Sequence, residues 1–330
     1  MALRRLFDAM HCASTALCAS LALALASPAA AQTYPSQPIR MIAPFPPGGS
    51  VDITARLIAD PLGVQLGTRI VIDNRSGASG NIGMEAAARA APDGYTIVLN
   101  TIPLVTNQSL FDKLTWDPIR DFAPIGMVAT SPHVLVVPNR LAVTKVEDLV
   151  RLARASPGKL TYASAGVGTT FHLCAEMFKD ATRTFILHVP YRGGGPALLD
   201  TLSGQVDMSF PTMSAALPHV KAGTLRALAV TATERSSLLP EVPTLREAGV
   251  KDFQFSQWLA LLAPAGTPPE VVMRLNTALR FALGSQEVRD KFQAQVFEAF
   301  ITTPAEAGKF IAGEAERLSR LIKTRGITAN

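Results

Sequence analysis

Two rhythms alternate along the chain. Short, nearly all-apolar runs are followed by longer stretches in which apolar residues recur at helical spacing. PIRMIAP (38–44), RIVIDN (69–74) and YTIVL (95–99) read as buried strands, with helical patterns at 50–66 and 82–91 between them. A second series follows: LTYAS (160–164), FILHV (185–189), VDMSF (206–210) and LRALAVT (225–231), again separated by helix candidates. Such alternation predicts α/β domains with largely parallel sheets.

Two longer extended runs, MVATSPHVLVVP (127–138) and FQFSQWLALLAPAG (253–266), bracket the second series. They read as crossings between two domains. The first domain is then discontinuous, built from about 33–128 and 253–330, and the second spans 129–252. The C-terminal part is helical, at 269–283 and 305–323; in the latter, Ala307, Phe310, Ile311, Leu318, Leu321 and Ile322 share one apolar face. Pro61 falls inside the first helical pattern and predicts a kink there, or an end near Asp60.

Composition narrows the class. Of 330 residues, 48% are hydrophobic and 17% charged, enough to build sizeable cores. The formal net charge of +5 is spread without a basic run, so nucleic acid is not an expected partner. The N-terminus has Arg4 and Arg5, an apolar segment at 16–26, and small residues closing at Ala31. This is the charged–apolar–small order of an export signal over residues 1–31; the apolar segment is shorter than the roughly 20 residues a membrane span takes. Removing it takes Cys12 and Cys18 away and leaves Cys174, expected to be a buried, inert thiol.

Several chemistries are missing. No phosphate-binding G-x-x-x-x-G-K-[ST], no G-x-G-x-x-G and no G-x-S-x-G elbow occurs, and the S-x-x-K of Ser156–Lys159 reads as a turn. His133, His172, His188 and His219 have no metal-ligand spacing. Neither metal, cofactor nor catalytic residues are expected. What remains is four glycine-rich stretches, each past a strand and before a helix: APFPPGGSVD (43–52), NRSGASGNIG (74–83), SAGVGTTFHL (164–173) and YRGGGPA (191–197). In open α/β sheets that edge is where ligands bind. Helix starts there offer unpaired amides and partial positive charge, which suit an anion. Each loop alone also makes sense as a plain turn.

PFPPGGSVDITAR, VIDNRSGASGNIGMEAAARAAPDGYTI, PGKLTYASAGVGTTFHL, HVPYRGGGPALLD, LRALAVTATERSSLLPEVPTLREAG and APAGTP together resemble the Bug family of periplasmic solute receptors, the binding subunits of tripartite tricarboxylate transporters. The resemblance covers nearly all of the chain past the leader. It implies a two-lobed periplasmic-binding-protein fold of the type II, flytrap kind, with two mostly parallel sheets. It also implies a monomeric receptor, not an enzyme, that binds a small organic carboxylate and delivers it to membrane permease subunits. The ligand-binding residues it implies are Phe45, Pro47, Gly48, Gly49, Asp52 and Thr101 from the first domain. From the second come Ser164, Gly166, Gly168, Thr169, His172, Tyr191, Arg192 and Gly193. Thr169 is expected to offer its hydroxyl and amide to a ligand oxygen, or to cap its helix. His172 braces the loop or touches the ligand, Arg192 meets a second carboxylate or solvent, and Asp52 caps amides or holds an ammonium. Delivery to a sensor kinase, and an enzyme on the same fold, stay open, although no nucleophile–base pair is visible.

Overall fold

A computed structural model describes residues 34–251 and 253–328, without the side chain of Arg325. The leader expected over 1–31 lies outside the described residues. In the first half of the chain come β1 (Ile39–Ala43), α1 (Ser50–Leu66), β2 (Ile70–Asn74), α2 (Asn81–Ala88), β3 (Thr96–Asn100), α3 (Pro103–Leu110), β4 (Phe122–Pro132), β5 (Val134–Pro138) and α4 (Val146–Ala155). There follow β6 (Thr161–Ser164), α5 (Thr170–Thr182), β7 (Leu187–Pro190), α6 (Gly194–Ser203), β8 (Met208–Ser209), α7 (Met213–Lys221) and β9 (Leu225–Val230). The chain then runs through β10 (Ser256–Pro264), α8 (Pro269–Gly284), α9 (Gln286–Ala294), β11 (Glu298–Ala299) and α10 (Pro304–Arg325).

Two sheets result, one per lobe, with strand orders β11-β4-β10-β3-β1-β2 and β7-β6-β8-β5-β9. β1 is parallel to both β2 and β3, and β6 to both β7 and β8. Among the named strands of the described residues, parallel pairing falls in these strand–helix–strand units; a lone parallel bridge joins Val230 to Thr244. The strands near the crossings add antiparallel pairs: β10 lies between β3 and β4, and β5 between β8 and β9. Both sheets are therefore mixed, because a chain that leaves one lobe on β4 and returns on β10 runs the opposite way on its return.

The crossings lie side by side. Pro132 ends β4, and Val134 starts β5 in the other sheet, with His133 between them. The His133 N–H donates to the Thr231 hydroxyl (2.8 Å), the Thr231 N–H donates to the His133 carbonyl (2.9 Å), and the Phe255 N–H donates to the Thr231 carbonyl (3.2 Å). Outgoing and returning segments are thus tied at one point.

α1 does not end near Asp60, one of the two outcomes expected of Pro61. It runs without interruption from Ser50 to Leu66, through Pro61. Its buried face, including Ala55, Ile58, Ala59, Leu62 and Leu66, packs against α8. That packing holds the helix although the missing proline N–H leaves the Leu57 carbonyl without its donor. α10 carries a full capping box: the Thr303 hydroxyl accepts from the Glu306 N–H (3.2 Å), and the Glu306 carboxylate accepts from the Thr303 N–H (2.8 Å). Cys174 is buried and free, and burial pushes its thiol well above the usual range. Among the described residues, no helix is long and apolar enough to cross a membrane, and no cluster could hold a metal ion.

Candidate functional site

The glycine loops converge between the lobes. Phe45, Gly49, Ser50, Val51, Thr101 and Pro103 of one lobe enclose a cavity of about 40 Å³ with Ala165, Thr169, Thr170, Phe171 and Gly194 of the other, and with Gln257 from β10. A second, more open pocket of about 250 Å³ adjoins it, lined by Ser79, Gly166, Val167, Tyr191 and Arg192 among others. Phe45, Pro46 and Ala165 line both, and form the neck between them.

Three helices begin here: α1, α5 and α6, with Gly49, Thr169 and Gly193 as their first flanking residues. None receives a side-chain cap. The first-turn amides of any helix lack partners within it, and these three starts turn positive partial charge toward one small space. Among the described residues no charged side chain lines the inner cavity. The Thr101 hydroxyl is buried beside it and finds no hydrogen-bond partner among the described residues. A neutral, donor-rich cavity of this kind suits one anionic group.

The remaining expected residues shape this space from behind. Asp52, 3% exposed, accepts from the Gly48 N–H (3.0 Å), from Asn74 Nδ2 (3.0 Å) and from Arg56, and so pins the Pro-Pro-Gly-Gly loop that carries Pro47. Burial would raise this carboxyl; the bonds from Arg56, Gly48 and Asn74 outweigh it and hold it below the usual range. Asp52 therefore serves as a brace, with both oxygens occupied. Ser164 is fully buried, and its hydroxyl meets His188 Nε2 at 2.6 Å. This hydroxyl–imidazole pair is not visible in the sequence. Ser164 lines neither cavity.

Thr169 donates its hydroxyl (2.6 Å) and its amide (3.3 Å) to the Gly166 carbonyl, closing the loop on itself. Thr170 and Phe171, whose amides begin α5, line the cavity beside it. His172 accepts at Nδ1 from the Gly168 N–H (3.1 Å), the bracing alternative. Burial, with Lys179 nearby, lowers its pKa to about 4. Tyr191 lines the outer pocket and donates its hydroxyl to Asp200 (2.7 Å). Arg192 is exposed and lines the outer pocket.

Gly168 and Gly193 matter for approach as well as conformation. Gly168 has φ +76°, and a Cβ there would collide with Leu110 Cδ1 of α3, in the opposite lobe. Gly193 has φ +131°, and a Cβ would stand 2.7 Å from Pro46 Cδ. Both let the lobes meet. Gln257 was not singled out from the sequence. Its Nε2 donates to the Ser50 hydroxyl (2.7 Å) and its Oε1 lies 3.4 Å from the Thr170 hydroxyl, so one amide spans the first residues of α1 and α5. The available signal was a polar amide directly before the apolar run WLALLAP of β10; in the structure it is 1% exposed.

Two lobes closing on a small, uncharged, donor-lined cavity define a periplasmic solute-binding protein in architecture. The family described as "Tripartite tricarboxylate transporter family receptor" matches residues 54–327, and the chain belongs to it. The protein BugT of Bordetella pertussis is 40% identical over 304 residues, covering 92% of this chain and 93% of BugT. A solved R. palustris protein with adipate has a TM-score of 0.87 and 37% identity, over 89% of this chain and 99% of that one. MatC from Rhodopseudomonas palustris, with bound malate, has a TM-score of 0.82 and 29% identity, over 88% and 100%. The family so described is one of receptors.

Proposed function

We propose that this chain is a periplasmic receptor that holds a small organic carboxylate between its lobes and delivers it to membrane permease subunits. The carrying observation is the inner cavity: three uncapped helix starts and the unpartnered Thr101 hydroxyl around a space without charged side chains. At about 40 Å³ it admits one carboxylate head and little more. The rest of the ligand passes the neck at Phe45, Pro46 and Ala165 into the outer pocket. Arg192 stands there as the cation for a second acidic group, as a diacid such as adipate or malate carries. The domain division supporting this reading places 33–128 with 253–330, and 129–252 apart, hinged at the tied crossings.

Calorimetry with a panel of organic acids and their methyl esters tests the reading. A dissociation constant around micromolar corresponds to roughly −8 kcal/mol. Esterifying the inner carboxylate removes charge-assisted bonds of roughly 1.5–3 kcal/mol each, so affinity should fall more than tenfold. Equal binding of acid and ester refutes the proposal. Delivery to a permease is tested by crosslinking the loaded receptor in membranes that carry the permease subunits.

A further inference from the structure

Gly168 is held from both sides. Its N–H donates to His172 Nδ1 at 3.1 Å, within its own lobe. Its carbonyl accepts from the Thr106 hydroxyl at 2.9 Å, across the cleft. Thr106 lies on α3 and is fully buried, as is its contact. One residue thus spends its amide on His172 and its carbonyl on the other lobe.

An imidazole nitrogen accepts a hydrogen bond only when it carries no proton. With Nδ1 accepting, Nε2 bears the hydrogen and faces Glu176 at 3.8 Å. That carboxylate is already engaged: Lys179 approaches it at 2.6 Å and the Tyr162 hydroxyl at 2.5 Å. The other neighbours of the ring are aromatic, with His188 stacked at 4.2 Å and Tyr162 at 6.3 Å. His188 is itself kept neutral, with its Nε2 on Ser164. Among the described residues the anion facing His172 is Glu176, and the oxygen it turns toward the ring is already shared by Lys179 and Tyr162.

We infer, on the basis of the carboxylate-receptor reading, that His172 is an acid-sensitive positioning residue: its neutral ring latches the 164–168 loop to Thr106 of the opposite lobe, and proton uptake releases the latch and the ligand. A proton from solvent on Nδ1 sets that N–H against the Gly168 N–H. Two donors then face each other, the loop turns, and the Thr106 bond is lost. The lowering of the His172 pKa by burial places this release in acid rather than at neutral pH.

The test uses the full exported chain and three variants. In wild type, the Gly168 amide resonance should shift with one midpoint near that of the His172 ring carbons. Adipate and malate are the binding probes, and variant-to-wild-type affinity ratios at each pH cancel the acids' own titration. His172→Phe keeps a ring in the stack and removes the acceptor; affinity at pH 7 should fall at least tenfold, with no further relative loss in acid. His172→Asn supplies an oxygen acceptor that does not titrate, and should recover most of the affinity and hold it in acid better than wild type. Thr106→Val should weaken binding while leaving the Gly168 midpoint in place. A folded His172→Phe protein that binds as wild type does, or a Gly168 amide indifferent to His172 protonation, overturns the latch. If wild type binds no acid of the panel, the receptor reading falls, and the amide titration still decides the latch.

Discussion

Thr101 isolates binding from stability more cleanly than any other side chain in the cleft. Its hydroxyl is buried without a partner, a state that costs free energy in the folded protein. Thr101→Val keeps the shape and removes that cost. Thermal stability should stay level or rise slightly. Carboxylate affinity should fall tenfold or more, because a hydrogen bond to an ion contributes roughly 1.5–3 kcal/mol. Calorimetry beside a melting curve checks both halves; a Thr101→Val protein that binds normally removes Thr101 from the site. Residues of this kind were the legible part of the cleft: Phe45, Gly49, Thr101 and Thr169 all line the inner cavity. Roles were less legible than positions. That Asp52 spends both oxygens on Gly48, Asn74 and Arg56, or that Thr169 turns onto Gly166, depends on loop conformations that no local pattern encodes. Gln257 was overlooked because its partners, Ser50 and Thr170, come from different lobes.

At the scale of elements, periodicity was a good guide where a helix or strand is defined by its own residues. The helical pattern at 50–66 matches α1 from end to end. It was a poor guide where pairing decides the outcome. The apolar run 206–210 contributes a strand of two residues, Met208–Ser209, which pairs with β6 at Tyr162 and Ala163 and with β5 at Val136. Antiparallel insertion of β10 is likewise invisible in its apolar string. Pro61 shows packing overriding a local rule. A proline inside a helix costs about 3 kcal/mol relative to alanine, part of it recovered from a stiffer unfolded chain. Pro61→Ala should therefore stabilise the protein by about 1–2 kcal/mol and leave ligand affinity unchanged, since the residue lies far along α1 from Ser50. Urea unfolding measures the gain; a loss would mean that the proline ring itself supports the contact with α8.

For the whole molecule, the buried histidines set a response to acid. Burial lowers His133 to about 4, against weaker opposing bonds to the Phe210 and Pro211 carbonyls, and lowers His172 to about 4. Unfolded, each takes a proton near 6.5. Between pH 6.5 and about 4 the unfolded chain thus binds more protons, and stability falls as pH falls through that window. It is fully present above 6.5. Denaturant midpoints at pH 7, 6 and 5.3 should decline in order, above the range in which most carboxylates titrate. A flat profile over that range would show that the two rings stay accessible to protons in the folded state. Added ligand should offset part of the decline, because binding to the folded state alone contributes about 2.7 kcal/mol at a hundredfold excess over the dissociation constant.

The place of β10 in the sheet has a consequence in time. It lies between β3 and β4, with Ala260 opposite Asn100, so the lobe begun by the earliest described residues closes only when some of the latest arrive. Until then β3 and β4 each present a bare edge, open to pairing with any passing strand. The other sheet draws only on residues between Val134 and Val230 and has no such wait. A chain threaded through a membrane from its N-terminus would assemble its middle first, and pulse-labelled hydrogen exchange during refolding should find β5–β9 protected before β1 and β3. During that interval the half-built lobe is the part most exposed to proteases and to its own neighbours, and a chaperone that shields strand edges would have its work there.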